Sequence, residues 1–426
     1  MLRTQGITKI QAVIIAVIII VVAVVGGGLY FSMPKRPVAP EAIRIGALVS
    51  LTGSLGAEGK ALEWAYSKAV DDYNREGGVY VKEYGKKIPL QVIFADAKSD
   101  ADAAATAAAK LILQDKVNFL VTSHPPPIAF PIASMAEKYK VPMVMHGGPN
   151  EPFIASGPWK YAWEYSFKLA DVVDLWTELT LEYAEQTNKI VAVAVVGDVD
   201  GTEWYNMMIP KLKEIGLTPL ELGTFPPGTS DFTALIQEWK RQNAEIFWAN
   251  CDVDSFTILW RQCAEQGYRP KLALVGRAVL DASSAEALGG DLAEGIITEA
   301  WWHPDFPWAT PPFSGSRQFA EMYEKERGLP WVMPLGAAYA QIQIIVDAIS
   351  RAGTLDPDKV NEAIGQSTIV TPLGPVHFDP ETHACACDLV QGQWRKTEKG
   401  WELAIVYSKN PEIKPTAEME FPLPPL

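Results

Sequence analysis

A chain of 426 residues exceeds what a single hydrophobic core usually serves, so two lobes with a cleft between them are expected. A hydrophobic content of 48% beside 21% charged residues excludes a disordered body. With 37 Lys and Arg against 51 Asp and Glu, the net charge of -14 excludes nucleic acid as a partner, because duplex binding rests on basic side chains that neutralise phosphates.

The first predicted element is a membrane span. From Ile10 to Phe31 the chain carries no charge and one strongly polar side chain, Gln11. That run matches the roughly 20 apolar residues that cross a bilayer and exceeds the about 7–15 of a cleavable signal. An uncleaved N-terminal transmembrane helix is therefore expected, with the membrane as a partner through it. No cysteine precedes Cys251, so lipid attachment at an N-terminal cysteine is not open. Arg3 and Lys9 before the span and Lys35 and Arg36 after it leave the orientation unassigned. The run QGITKIQAVIIAVIII also resembles archaeal prepilin-like signals, which are cut just before the apolar segment, here between Gln5 and Gly6. The Pro-rich SMPKRPVAPEA then reads as a stiff spacer, and residues 1–40 form an anchor with its linker.

The body opens with the strand-like IRIGALVSL from Ile43, a glycine loop TGSLGAEG, and a helix with Ala61, Ala65 and Ala69 at i, i+4 spacing. The alternation recurs. KIPLQVIFADA precedes DAAATAAAKLILQD, VNFLVTS precedes a helix through IASMAEKY, and VPMVMHGG and KIVAVAVVGD follow. AEIFWANC with DSFTILWRQCAEQG, KLALVG, EGIITEAWW and a long helix near GAAYAQIQIIVDAISRAG complete the series. Repeated strand and helix units predict an α/β fold whose parallel sheets are covered on both faces. Ligands of such sheets sit outside the carboxyl ends of the strands, so the loops there are the candidate site. The four cysteines, Cys251, Cys263, Cys385 and Cys387, lack CxxC spacing and are expected to be buried free thiols, with no metal site.

Taken in order, these segments resemble the branched-chain amino acid (Leu/Ile/Val) binding proteins of ABC importers, which have the type I periplasmic-binding fold. The marks are IRIGALVSLTGSLGAEGKALEWAYSKAVDDYNREGGV, AEKYKVPMVM, FPPGTSDFTALI and TPLGPVHFDP, in that order, across nearly all of the body from Ile43. The resemblance implies two Rossmann-like lobes joined by a three-strand hinge, with crossovers near Trp163, Ala300 and the stretch around Thr371. Lobe 1 then comprises 41–163 and 301–370, and lobe 2 comprises 164–300 and 371–426. It also implies an extracytoplasmic receptor, held at the cell membrane, that closes on a small solute and docks on ABC permease subunits.

Residue chemistry and resemblance together select the ligand-binding candidates. Ser54 and Gly56 lie between a strand end and a helix N-terminus, where N–H groups and hydroxyls receive an acceptor, or simply cap the turn. The family holds its ligand's carboxylate and amine with a Ser or Thr after the third strand, an Ala-x-Thr turn after the fourth, and an acid in the second lobe. The corresponding stretches here, SHPPPIAF, MHGGPNEPF and LVGRAVLD, all depart from that pattern. Pro125, Pro126 and Pro127 have no N–H to donate, which leaves Ser123, somewhat upstream. His124, His146, Gly147 and Gly148 follow neighbouring strands as cleft candidates. Arg277 stands near the expected acid, which suits either a carboxylate or amide-like solute or a local pair with an acid such as Asp281. Asp200 and Trp204 follow KIVAVAVVGD, Trp204 serving as an aromatic over the ligand or as core of the next helix. Asn250 and Asp252 follow EIFWA, as ligand contacts or helix caps.

No GxSxG elbow, Walker loop, HExxH pair or GxGxxG fingerprint is present, so no enzyme and no cofactor is expected. A sensory ectodomain or a structural surface subunit of the same fold is the alternative. The few residues ahead of the span argue against the first, and the two-lobed pattern argues against the second.

Overall fold

The computed structural model describes residue 10, residues 14–18 and residues 37–425. Most of the expected span from Ile10 to Phe31 lies outside these residues, and among them no helix is long and apolar enough to cross a membrane. The body forms two sheets. The first contains β1 (Ile43–Val49), β2 (Leu90–Asp96), β3 (Phe119–Ser123), β4 (Met143–His146) and β5 (Ala162–Ser166). The second contains β6 (Ile190–Val195), β7 (Ile246–Asn250), β8 (Leu272–Gly276) and β9 (Ile297–Ala300). Three late strands finish both sheets: β10 (Ala384–Ala386), β11 (Val390–Thr397) and β12 (Gly400–Ser408).

The first sheet runs in the order β10-β5-β4-β3-β1-β2 and is parallel throughout. The second runs β12-β11-β9-β8-β7-β6 with Thr218–Pro219 at its edge, and only β11 runs against the others, pairing antiparallel with both β9 and β12. Continuous apolar sequence explains the burial of β3, β7 and β8 along every residue, as helix-covered parallel strands require. The helix Gly56–Arg75 buries Ala61, Ala65 and Ala69 on the stripe that the sequence spacing predicts.

Three crossovers join the lobes. Phe167 and Lys168 lead from β5 to the helix Leu169–Ala184, the segment after Ala300 leads back to the helix Ser316–Arg327, and Cys387–Leu389 lead from β10 to β11. The third corrects the expectation around Thr371. Ala384–Ala386 still pairs with β5, so the chain stays with the first sheet until Ala386. Tyr165 ties the Thr371 stretch to β5 through its hydroxyl, 3.0 Å from Thr371 Oγ1 and 3.0 Å from the Gly374 carbonyl. The crossovers also touch one another: the Phe167 and Trp301 rings stack at 5.4 Å, and the Cys387 N–H donates to the Ser166 carbonyl. All four cysteines are free and buried, so no bridge joins Cys251 to Cys263.

Candidate functional site

The carboxyl ends of β1, β3 and β4 face those of β6, β7 and β8 across a cavity of about 520 Å³. That is room for a molecule of amino-acid size or somewhat larger. The structure brings Ser54, Ser123, His124, His146, Gly148, Asp200, Trp204, Asn250, Asp252 and Arg277 to its walls. Gly56 and Gly147 are not among the lining residues. Gly56 opens the first helix and its N–H donates to the Gly53 carbonyl, while the Gly147 N–H is taken by the buried Glu164 carboxylate at 2.5 Å.

The first-lobe wall is nearly neutral. His124 is held between Ser50 Oγ, 2.8 Å from Nε2, and Thr122 Oγ1, 2.7 Å from Nδ1, so both ring nitrogens are engaged within the lobe. His146 Nδ1 lies 3.0 Å from the Tyr165 carbonyl; a carbonyl only accepts, so Nδ1 carries the hydrogen and Nε2 is left as an acceptor. Burial pushes both imidazoles down to about 4, because the charged ring loses its water. Pro125, Pro126, Pro127 and Pro149 line the same wall and offer it no N–H.

The second-lobe wall is acidic and internally paired. Arg277 does not pair with Asp281. Its Nη2 meets Asp198 Oδ2 at 2.7 Å and its Nη1 meets Asp200 Oδ2 at 2.9 Å. Asp281 instead caps the helix Ala282–Leu288 by accepting the Ser284 N–H at 2.8 Å. Against the effect of burial, the Arg277 hydrogen bond and charge hold Asp198 below the usual carboxylate range, whereas burial outweighs Arg277 at Asp200 and raises it. Arg277 itself adopts a left-handed backbone with φ of 66°, rare for a residue with a Cβ. Its planar fork is thus already filled by carboxylates of its own lobe.

Asp252 takes the capping role, accepting the Ser255 N–H at 2.9 Å. Asn250 does not: it is 0% exposed, and neither atom of its amide has a hydrogen-bond partner among the described residues. Trp204 lines the cavity, and its ring packs 5.2 Å from Trp176 in the core, as the helix-core reading expects.

Sequence reasoning missed Glu299 and Glu58. Glu299 is 2% exposed on β9, accepts the Arg277 N–H at 3.3 Å through Oε1, and leaves Oε2 without a partner. Burial first, and then Asp200, push it up to about 8. Glu58, on the first helix, is pushed up to about 7 by burial and by Asp281 in the opposite lobe. A signal existed for Glu299: a lone acid in the apolar strand IITEAWW. Glu164 is its counterpart in the AWEYS strand of lobe 1. Each accepts the N–H of the loop residue that follows the neighbouring strand, Gly147 in one lobe and Arg277 in the other. Only Glu299 lines the cavity. Trp301 and Phe167 add an aromatic floor where two crossovers meet.

Comparison with known proteins agrees with this architecture. The periplasmic binding protein family model matches residues 42–399. A Leu/Ile/Val-binding protein homolog 2 of Brucella abortus is 26% identical over 364 residues, 84% of this chain and 92% of that one. A leucine-, isoleucine-, valine-, threonine- and alanine-binding protein of Pseudomonas aeruginosa is 22% identical over 361 residues, 84% and 91% of the two chains. Among solved structures, a leucine-binding protein of Thermotoga maritima superposes with a TM-score of 0.70 at 21% identity, covering 86% of this chain and 99% of that one. A solute-binding protein of an ABC transporter from Rhodopseudomonas palustris, in complex with 3,4-dihydroxybenzoic acid, gives 0.70 at 22% identity over 88% and 99%. The chain belongs to the periplasmic binding protein family, as a non-enzymatic solute-binding receptor of the branched-chain amino acid ABC transporter type.

Proposed function

We propose that this receptor is tethered to the cell membrane by Ile10–Phe31, works outside the cytoplasm, and encloses its solute in the interlobe cavity. The observation that carries the placement of the solute is a set of buried polar atoms on residues of the cavity wall, the Asn250 amide and Glu299 Oε2, that have no hydrogen-bond partner among the described residues. A buried amide without partners costs about 1–3 kcal/mol, so a molecule that supplies those hydrogen bonds gains what the empty site forgoes. Lobe 1 contributes Ser54, Ser123 and His146, and lobe 2 contributes Asp200, Trp204, Asn250 and Glu299. A solute that touches both walls favours the closed arrangement by its differential affinity for it, and the closed lobes present one composite surface to the permease. The apolar Ile10–Phe31 stretch supports the tether, since its length suits a bilayer.

The test is thermal unfolding of the full-length chain in detergent against amino acids, carboxylates, amides, amines and sugars. A ligand at a hundred times its Kd adds about 2.7 kcal/mol, which shifts the transition visibly. Asn250→Leu, which fills the space without hydrogen bonds, is expected to abolish the shift. A panel without any stabilising member, or a shift that Asn250→Leu leaves intact, overturns this placement.

A further inference from the structure

Resting on that placement of the solute, we propose that the cavity takes an organic cation without a carboxylate, an amine or amidinium on a compact apolar or aromatic body. The first ground is that the places where the second lobe would ordinarily receive an anion are filled from within. Among the described residues, Arg277 is the only Lys or Arg lining the cavity, and its fork is closed by Asp198 and Asp200. The N-termini of the second-lobe helices that open on the cavity carry their own carboxylates. Asp198 accepts the Gly201 N–H at 2.8 Å, and Asp252 and Asp281 accept those of Ser255 and Ser284. An anion placed there would displace an ion pair or a cap, or sit against like charge.

The second ground is independent of the first. Glu299 Oε2 and Asn250 Oδ1 are buried acceptors without a donor among the described residues, on residues that line the cavity, and the Asn250 Nδ2 donor beside them is free for an acceptor on the solute's body. His146 Nε2 adds a third acceptor from the opposite lobe. Three acceptors suit the three N–H groups of an ammonium or the fork of an amidinium. The ring of Trp301, stacked on Phe167 and 5.4 Å from His146, supplies a face to which a desolvated cation is attracted. Glu58 of lobe 1 faces Asp281 of lobe 2, so a positive charge between them replaces a repulsion across the cleft by attraction on both sides.

Charge sign and pH distinguish this reading from others. Glu299 is faced by Asp200 and by the Arg277 N–H, and Glu58 by Asp281. Both carboxyls are held up, to about 8 and about 7, and a bound cation favours their ionised forms. Cation binding therefore releases protons and tightens as pH rises from about 6 to about 8, whereas an amide that needs the Glu299 proton weakens over the same range.

The experiment is calorimetric titration of the full-length protein in detergent with benzylamine, benzamidine and choline, beside benzoate, isovalerate, leucine and benzamide, at pH 6 and pH 8. The expected result is binding of at least one cation, with none of the other four as tight, tightening at pH 8, and proton release seen between buffers of different ionisation enthalpy. Glu299→Gln is expected to weaken that cation at least about tenfold and remove most of the pH dependence. If it proves unstable, Glu58→Gln is expected to give a smaller loss of the same kind. Benzoate, isovalerate, leucine or benzamide binding as tightly as the best cation, or a cation affinity indifferent to both variants, overturns the inference and leaves the receptor reading intact. Absence of binding by all three cations overturns the inference, and the wider unfolding panel decides the placement of the solute separately.

Discussion

Arg277 shows how one side chain's meaning depends on its partners. Removing it leaves Asp198 and Asp200 facing each other without a counter-ion, both only partly screened by solvent. Arg277→Met is expected to destabilise the fold by about 1–3 kcal/mol in urea denaturation, less than the loss for a fully buried pair because these groups are partly wet. The same substitution in an Asp198→Asn, Asp200→Asn background is expected to cost much less; equal costs would show that the pairs contribute nothing. The two histidines make a second prediction at this scale. His124 and His146 are neutral when folded, with values near 4, and titrate near 6.5 when unfolded. The unfolded chain therefore takes up protons first, so their contribution is complete above about 6.5 and is lost as pH falls toward about 4. Thermal unfolding of wild type and His146→Gln across pH 4.5–7 is expected to show a shallower acid loss in the variant, and parallel curves would refute the assignment.

The two lobes position the helix that follows the first strand of each by the same device. Gly59, in the helix Gly56–Arg75, lies where a Cβ would stand 1.9 Å from the Ser50 carbonyl oxygen. Gly201, in the helix Val199–Glu214, meets the Val196 carbonyl oxygen at the same 1.9 Å. In both cases the obstacle is backbone at the end of the preceding strand, which a rotamer change cannot relieve. Close approach of helix to strand brings Ser54 in the loop of one lobe, and Asp198 and Asp200 at the helix N-terminus of the other, to the cavity rim. Gly59→Ala or Gly201→Ala is expected to cost more than about 2 kcal/mol in chemical denaturation and to weaken ligand binding through displaced loops. A neutral effect would mean that the helices shift freely, and that the approach does not set the rim.

Across the whole molecule, the crossovers touch one another, Phe167 on Trp301 and Cys387 on the end of β5, and rotation of one lobe against the other is expected about such a hinge. The proposed tether would hold this hinged body near its permease. The full chain is expected to sediment with membranes and a chain beginning at Glu41 to remain in the supernatant; equal partition would remove the tether from the account. Much of this organisation was legible in the sequence. Strand and helix periodicity, the glycine loop after IRIGALVSL and the order of the family-like segments indicate an α/β receptor, because each is a local pattern that the backbone must obey. They also place most of the candidate loops at the cleft, since loops after parallel strands share one edge. The sequence is silent on partnership. Whether Arg277 meets a ligand, Asp281 or the pair Asp198 and Asp200 depends on which loops the sheet order brings side by side, and β6 lies two strands away from β8. The third crossover escaped for the same reason, because the short strand Ala384–Ala386 is recognisable only by its pairing with β5. Glu299 reads as an ordinary acid until the fold removes its water and leaves one oxygen without a donor. Local pattern determined the elements, and tertiary structure decided the electrostatics of the cleft, because a charge is defined by the groups and the solvent that surround it.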